Sequence, residues 1–335
     1  MKNVTGKGLL AALAALALTM STTAQETGDS NQQDEIDRVD AAQQRLTNLV
    51  RQTAGGIDNF FSDERHSWQN NKTRITLRGN LDWIDDHGWE SSPQVRINLA
   101  MPGTSNRIRI VANDDDDDGG ADGGASDEDE STLALRWVGK VTNKYGITFD
   151  LGLSTRGDPS LQGFVRANLF RNWKLTDTWD ARLENRLYYY NDSKWRNDFR
   201  WYFEHRINDK FFFRSRTRFD YQEDKDSDWY PEQTFTLFQQ ISNRSALAYE
   251  LIAQQIYFAD SPWDEDEILV QSERYNQYQA RLRFRQNIGY PWLFYEVWPI
   301  AAWAEERDYE FTPAIRLRLE VVLGDPPKQT RLGMN

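Results

Sequence analysis

Thr73-Arg74-Ile75-Thr76-Leu77-Arg78-Gly79-Asn80-Leu81-Asp82-Trp83 alternates: Ile75, Leu77, Leu81 and Trp83 fall on one side, Arg74, Thr76, Arg78, Asn80 and Asp82 on the other. Ala314-Ile315-Arg316-Leu317-Arg318-Leu319-Glu320-Val321-Val322-Leu323 repeats the pattern at the far end, setting Ile315, Leu317, Leu319, Val321 and Leu323 against Arg316, Arg318 and Glu320. Neighbouring side chains of a strand point to opposite faces, so a sustained period of two marks a half-buried β-strand.

That period runs from Thr73 to Asp325. It reads as fourteen strands, at 73–84, 94–101, 106–112, 132–142, 147–156, 162–174, 179–190, 195–207, 211–221, 231–242, 246–259, 272–288, 292–304 and 311–323. Connections after even-numbered strands are short (102–105, 143–146, 175–178, 208–210, 243–245, 289–291), whereas those after odd-numbered strands include the long 85–93, 113–131, 222–230 and 260–271. An even strand count with short turns at one end and long loops at the other describes a transmembrane antiparallel up-and-down β-barrel.

A soluble β-sandwich alternates too, burying its apolar face between two sheets. Three features favour a bilayer. Most strands reach the roughly 9–11 residues needed to cross one. Aromatic residues gather at strand ends: Trp83, Trp89, Tyr188, Tyr189, Trp195, Tyr221, Trp229, Tyr257 and Trp303 by the long loops, and Tyr145, Trp173, Trp179, Phe211, Tyr290 and Trp292 by the short turns. Such rings suit the headgroup zone. Third, the start of the chain reads as an export signal. Lys2 and Lys7 precede the apolar block Leu9–Leu18 and a small-residue site ending at Ala24, the pattern of a cleaved secretory signal peptide over 1–24.

With this pattern, residues 73–325 resemble Gram-negative outer-membrane β-barrels, the monomeric porin-like channels in particular. The resemblance implies a cell outer-membrane location, contact with outer-membrane lipid and lipopolysaccharide, and insertion by the barrel-assembly machinery. That machinery usually reads a terminal aromatic residue; here the last strand lacks one and a tail, 326–335, follows the barrel.

If the apolar face meets lipid, the opposite face lines the interior, since a cation facing lipid at mid-depth costs about 2–4 kcal/mol. The expected lumen and solute-binding residues are Arg74, Arg78, Arg96, Arg109, Arg136, Arg166, Arg182, Arg186, Arg200, Arg214, Arg216, Arg218, Arg281, Arg283, Arg285, Arg316 and Arg318, and parity adds Arg107, Lys140 and Arg206. The acids on that face are Asp82, Asp150, Glu184, Glu204, Asp220, Glu250, Glu296 and Glu320. Arg214-x-Arg216-x-Arg218 and Arg281-x-Arg283-x-Arg285 each form a guanidinium ladder along one strand. Arginine ladders select anions in pores; alternatively, arginine and glutamate brace the wall through paired contacts. Phe164, Phe170, Tyr202, Phe212, Phe238, Phe294 and Trp298 share that face, and with the arginines they either constrict the bore or shut it. The reading is a passive channel favouring small anionic solutes. Its alternative is a scaffolding barrel with a filled lumen, docking a periplasmic partner through an N-terminal helix.

That helix is expected at 33–53, within an N-terminal periplasmic segment 25–72: Ile36, Val39, Leu46, Leu49 and Val50 lie near one stripe. The loop 113–131 carries Asp114, Asp115, Asp116, Asp117 and Asp118 and a second acidic run at Asp127–Glu130. It reads as a solvated, self-repelling extracellular loop, with a weak divalent-cation site as the sharper alternative. The spacing is not an EF-hand loop, and no metal or cofactor is expected.

Composition removes other classes. The 335 residues hold no cysteine and three histidines, which leaves no thiolate site and little for a histidine-rich metal centre. A net charge of −12 has the wrong sign for a general nucleic-acid binder. Asp85-Asp86-His87 resembles the acid–histidine pair of barrel proteases, while His66 and His205 lie elsewhere; a lone histidine in a polar loop reads more simply as a hydrophilic turn. No enzyme is expected.

Overall fold

The computed structural model describes residues 73–85, 88–101, 104, 107–113, 131–142, 144–155, 161–192, 194–223, 228–242, 244–258, 273–290 and 292–324, without the side chains of 256–258, 273 and 274. The expected signal peptide, helix 33–53, acidic run Asp114–Asp118, His66, His87 and tail 326–335 lie outside the described residues.

Fourteen strands form one sheet: β1 (Arg74–Ile84), β2 (Gly88–Ala100), β3 (Ile108–Ala112), β4 (Ser131–Val141), β5 (Tyr145–Thr155), β6 (Leu161–Lys174), β7 (Trp179–Tyr190), β8 (Lys194–Arg206), β9 (Phe211–Gln222), β10 (Trp229–Gln240), β11 (Ser245–Phe258), β12 (Glu273–Asn287), β13 (Leu293–Ala304) and β14 (Phe311–Gly324). Each pairs antiparallel with its sequence neighbours, and β1 also pairs with β14, so the sheet closes into a barrel. Closure removes the two free edges that an open sheet would present. Its register places Asp82 opposite Arg316 and Arg78 opposite Glu320. The only helical piece among the described residues is a 3-10 turn, Glu305–Arg307, before β14.

One boundary differs from expectation. β2 begins at Gly88, so most of the segment 85–93 is strand rather than loop. Glu90-Ser91-Ser92-Pro93 shows no apolar alternation, and what makes it a strand is its partner: Trp89 to Pro93 pair in sequence with Trp83 back to Gly79. Proline lacks an N–H for the ladder, and β3, which pairs with β2 only over Ile97–Ala100, leaves Pro93 without a pairing partner on that side among the described residues.

The two faces are the reverse of a soluble sandwich. The apolar members of the alternation stand outside, with Leu151 66% exposed and Leu133, Leu169, Phe235 and Leu319 likewise exposed, while the charged members are buried inside. Exposed apolar surface on this scale needs a partner or a membrane. Aromatic pairs mark the rims: Tyr189 with Trp195 (5.0 Å between ring centroids) and Tyr221 with Trp229 (5.4 Å) at the long-loop end, Tyr290 with Trp292 (5.1 Å) at the short-turn end. Tyr188, expected in the long-loop rim, instead points inward and stacks on Tyr190 at 5.9 Å.

Candidate functional site: an arginine-rich interior

Alternation delivers the arginines to the inner face. Fourteen of the seventeen singled out in the sequence are buried there, and Arg74, Arg216 and Arg218 are partly exposed. With Arg196 the buried arginines number fifteen, against eight buried Asp and Glu. Arg196, Asp198 and Glu232 were missing from the expected set. Their strands carry a polar residue on the outer face as well (Asn197, Gln233), which interrupts the apolar alternation beside them. Counting by two from Arg200 or Thr234 reaches all three.

Lys140 is a correction. Between Val138 and Val141 the β4–β5 register shifts by a bulge, since Val138 pairs with Thr148 and Val141 with Gly146. The extra residue reverses facing beyond it. Lys140 therefore stands exposed, its ammonium 5.3 Å from the exposed Tyr145 ring. Arg107 is also exposed, just ahead of β3.

The two ladders differ. On the β12 side, Trp298 of β13 is fully buried and ringed by four guanidinium groups, with Arg283 at 4.3 Å, Arg318 at 4.4 Å, Arg281 at 4.9 Å and Arg316 at 5.4 Å from its ring. A cation over an indole face gains from the ring quadrupole, more so when desolvated. The indole N–H donates to Glu296 (2.6 Å). Carboxylates tie the same arginines together. Glu250 accepts from Arg281 (2.5 Å) and Arg283 (3.4 Å), Glu296 pairs with Arg285, and Glu320 accepts from Arg285 (2.6 Å) and Arg78 (2.6 Å). Arg316 forks onto Asp82 at 2.6 and 3.0 Å, and Arg318 donates to Asn80. Bidentate charge-assisted bonds of this kind fix geometry as well as charge.

On the β9 side the packing is looser. The Arg216 side chain is 28% exposed and that of Arg218 11%, with Glu232 and Asp220 between them in exposure, whereas none of the three β12 ladder arginines passes 9%. Arg214 donates to Glu204 (2.8 Å), Arg216 pairs with Glu232, and Arg218 lies 3.3 Å from Asp198, which also holds Arg200. A third cluster is closed: Asp150 accepts from Arg136 (2.8 and 2.9 Å) and from Arg166 (2.6 Å). The expected aromatic set also lies inside, Phe170 under Arg182 (4.7 Å) and Phe212 and Phe238 flanking Arg214 (5.5 and 5.2 Å).

Most carboxylates thus serve two arginines, and the inner surface stays net positive. Its surplus of guanidinium groups is chemistry that suits anions.

No family model matches the chain, and no curated protein matches it. Solved structures of outer-membrane barrels resemble it. A KdgM porin is 7% identical, covering 73% of this chain and 98% of its own, with a TM-score of 0.34. OprD of Pseudomonas aeruginosa is 8% identical (76% and 95% covered, TM-score 0.41). The outer membrane channel DcaP of Acinetobacter baumannii is 10% identical (75% and 96% covered, TM-score 0.42).

Proposed function

We propose that the chain spans the outer membrane as a narrow passive channel whose arginine-rich interior favours small anionic solutes. The membrane part of this reading is supported by the inverted faces, since an exterior of exposed Leu, Val, Phe and Trp suits hydrocarbon and a charged interior suits enclosed water. The short turns then face the periplasm and the long loops the outside. The observation that carries the channel is the Arg216 side chain, 28% exposed on the inner face beside Arg218. The looser packing of the β9 wall, against a β12 wall packed around Trp298, supports a path along β9 and β10. Along it a low-dielectric wall focuses the field of the surplus guanidinium groups.

The test is single-channel conductance of the folded protein in a planar bilayer with a salt gradient. Steady open steps with a reversal potential on the anion side support the reading; silence from folded protein overturns it. One observation favours the scaffolding alternative, a filled interior: Trp298, Arg285 and Glu320 are cut off from water. Silence in the bilayer is the outcome which that reading predicts.

A further inference from the structure

The outer face is apolar nearly throughout, yet one stretch of its short-turn rim is basic. The bulge at Val138–Val141 turns Lys140 outward over Tyr145. Tyr145 pairs directly with Arg171 across β5 and β6, and the Arg171 guanidinium lies 5.1 Å from the Trp173 ring. Lys144, exposed in the intervening turn, is held there by its carbonyl, which accepts the Asn172 N–H at 2.6 Å. The neighbouring carboxylate, Asp177, is engaged by Lys174 at 2.9 Å. The other short turns carry at most one unbalanced cation: 207–210 sets Asp209 beside Lys210, the described residues of 241–245 hold the single cation Arg244, and the described residues of 288–292 carry no charge. Further up the wall from these cations run Trp137 and Phe149, stacked at 5.8 Å, and Leu169, all exposed.

We propose that Lys140, Lys144 and Arg171 form a headgroup site for an anionic glycerophospholipid of the periplasmic leaflet. The phosphate sits among the three cations at the level of Tyr145 and Trp173, where interfacial aromatic residues belong. The acyl chains lie over Trp137, Phe149 and Leu169. A sheet that kept its parity would have sent Lys140 inside; the bulge supplies the outer rim with a cation instead. The site rests on the membrane-spanning reading above and is independent of whether the interior conducts.

The test is native mass spectrometry of the full chain, released from detergent after exposure to equal amounts of phosphatidylglycerol and phosphatidylcholine with matched acyl chains. The wild type is expected to keep phosphatidylglycerol preferentially. Each cation removed should weaken that preference about fivefold, the usual attraction of a surface Lys or Arg to an anionic leaflet, so Lys140→Gln/Lys144→Gln/Arg171→Gln should abolish it. Excess inorganic phosphate should leave the lipid bound. The proposal is overturned if the wild type shows no preference, if the triple variant keeps it, or if phosphate alone displaces the lipid. Single Lys140→Gln, expected to lose part of the preference, serves if the triple variant does not fold. Conductance recorded on the same samples separates a failed lipid site from a failed channel.

Discussion

Asp82 on the first strand and Arg316 on the last are joined by two hydrogen bonds, 2.6 and 3.0 Å, across the seam that closes the barrel. Arg78 and Glu320 repeat the tie at 2.6 Å along the same seam. Closure of the cylinder therefore rests on buried ion pairs as well as on the backbone ladder. Removing one partner leaves an uncompensated buried charge, which costs about 3–5 kcal/mol, whereas replacing both by apolar groups is often neutral. Asp82→Asn is expected to lower stability by that amount in urea unfolding from lipid vesicles, and Asp82→Leu/Arg316→Met to recover most of it. Equal losses in both variants would show that the pair is not the cause.

The exterior gives a second expectation. Leu151, exposed on β5, should tolerate a charge if it met water, but Leu151→Arg is expected to cost about 2–4 kcal/mol in a bilayer. Urea titration of the vesicle-inserted protein measures it, and an unchanged midpoint would remove the lipid from that face.

Trp298 separates packing from conduction. Trp298→Ala leaves four guanidinium groups without their ring and should cost about 3–5 kcal/mol, as large buried aromatics do. The sign of ion selectivity should be unchanged, because the β12 wall is dry. A reversed sign would place the conducting path there.

Salt should act on the channel and spare the fold. Screening shortens from about 10 Å at 0.1 M to about 3 Å at 1 M salt, so the anion preference should fall over that range while the urea midpoint barely moves. The buried pairs are shielded from the added ions, and a fold that loosened with salt would mean that water reaches them.

Much of this was legible in the residues. Alternation located fourteen strands and put the arginines and inner aromatics on one face, because a barrel wall with an apolar outside and a polar inside sorts side chains with a period of two. Beyond the missed Arg196, Asp198 and Glu232 and the inward Tyr188, three things were hidden. The segment Gly88–Pro93 is strand through its pairing with β1, a contact no local pattern announces. Lys140 was misplaced because a single extra residue in β4 reverses every facing after it. The difference between the β9 and β12 ladders, identical in spelling, comes from Trp298 on β13 and from Glu320, which reaches Arg285 across the intervening strand; spacing within one strand carries no trace of either.

The most direct test of an arginine-lined conducting path is the reversal potential, under a salt gradient, of the wild type against Arg216→Gln/Arg218→Gln. An anion-side potential that moves toward the cation side in the variant is the predicted result. An identical potential in the two proteins, with conductance intact, would contradict it.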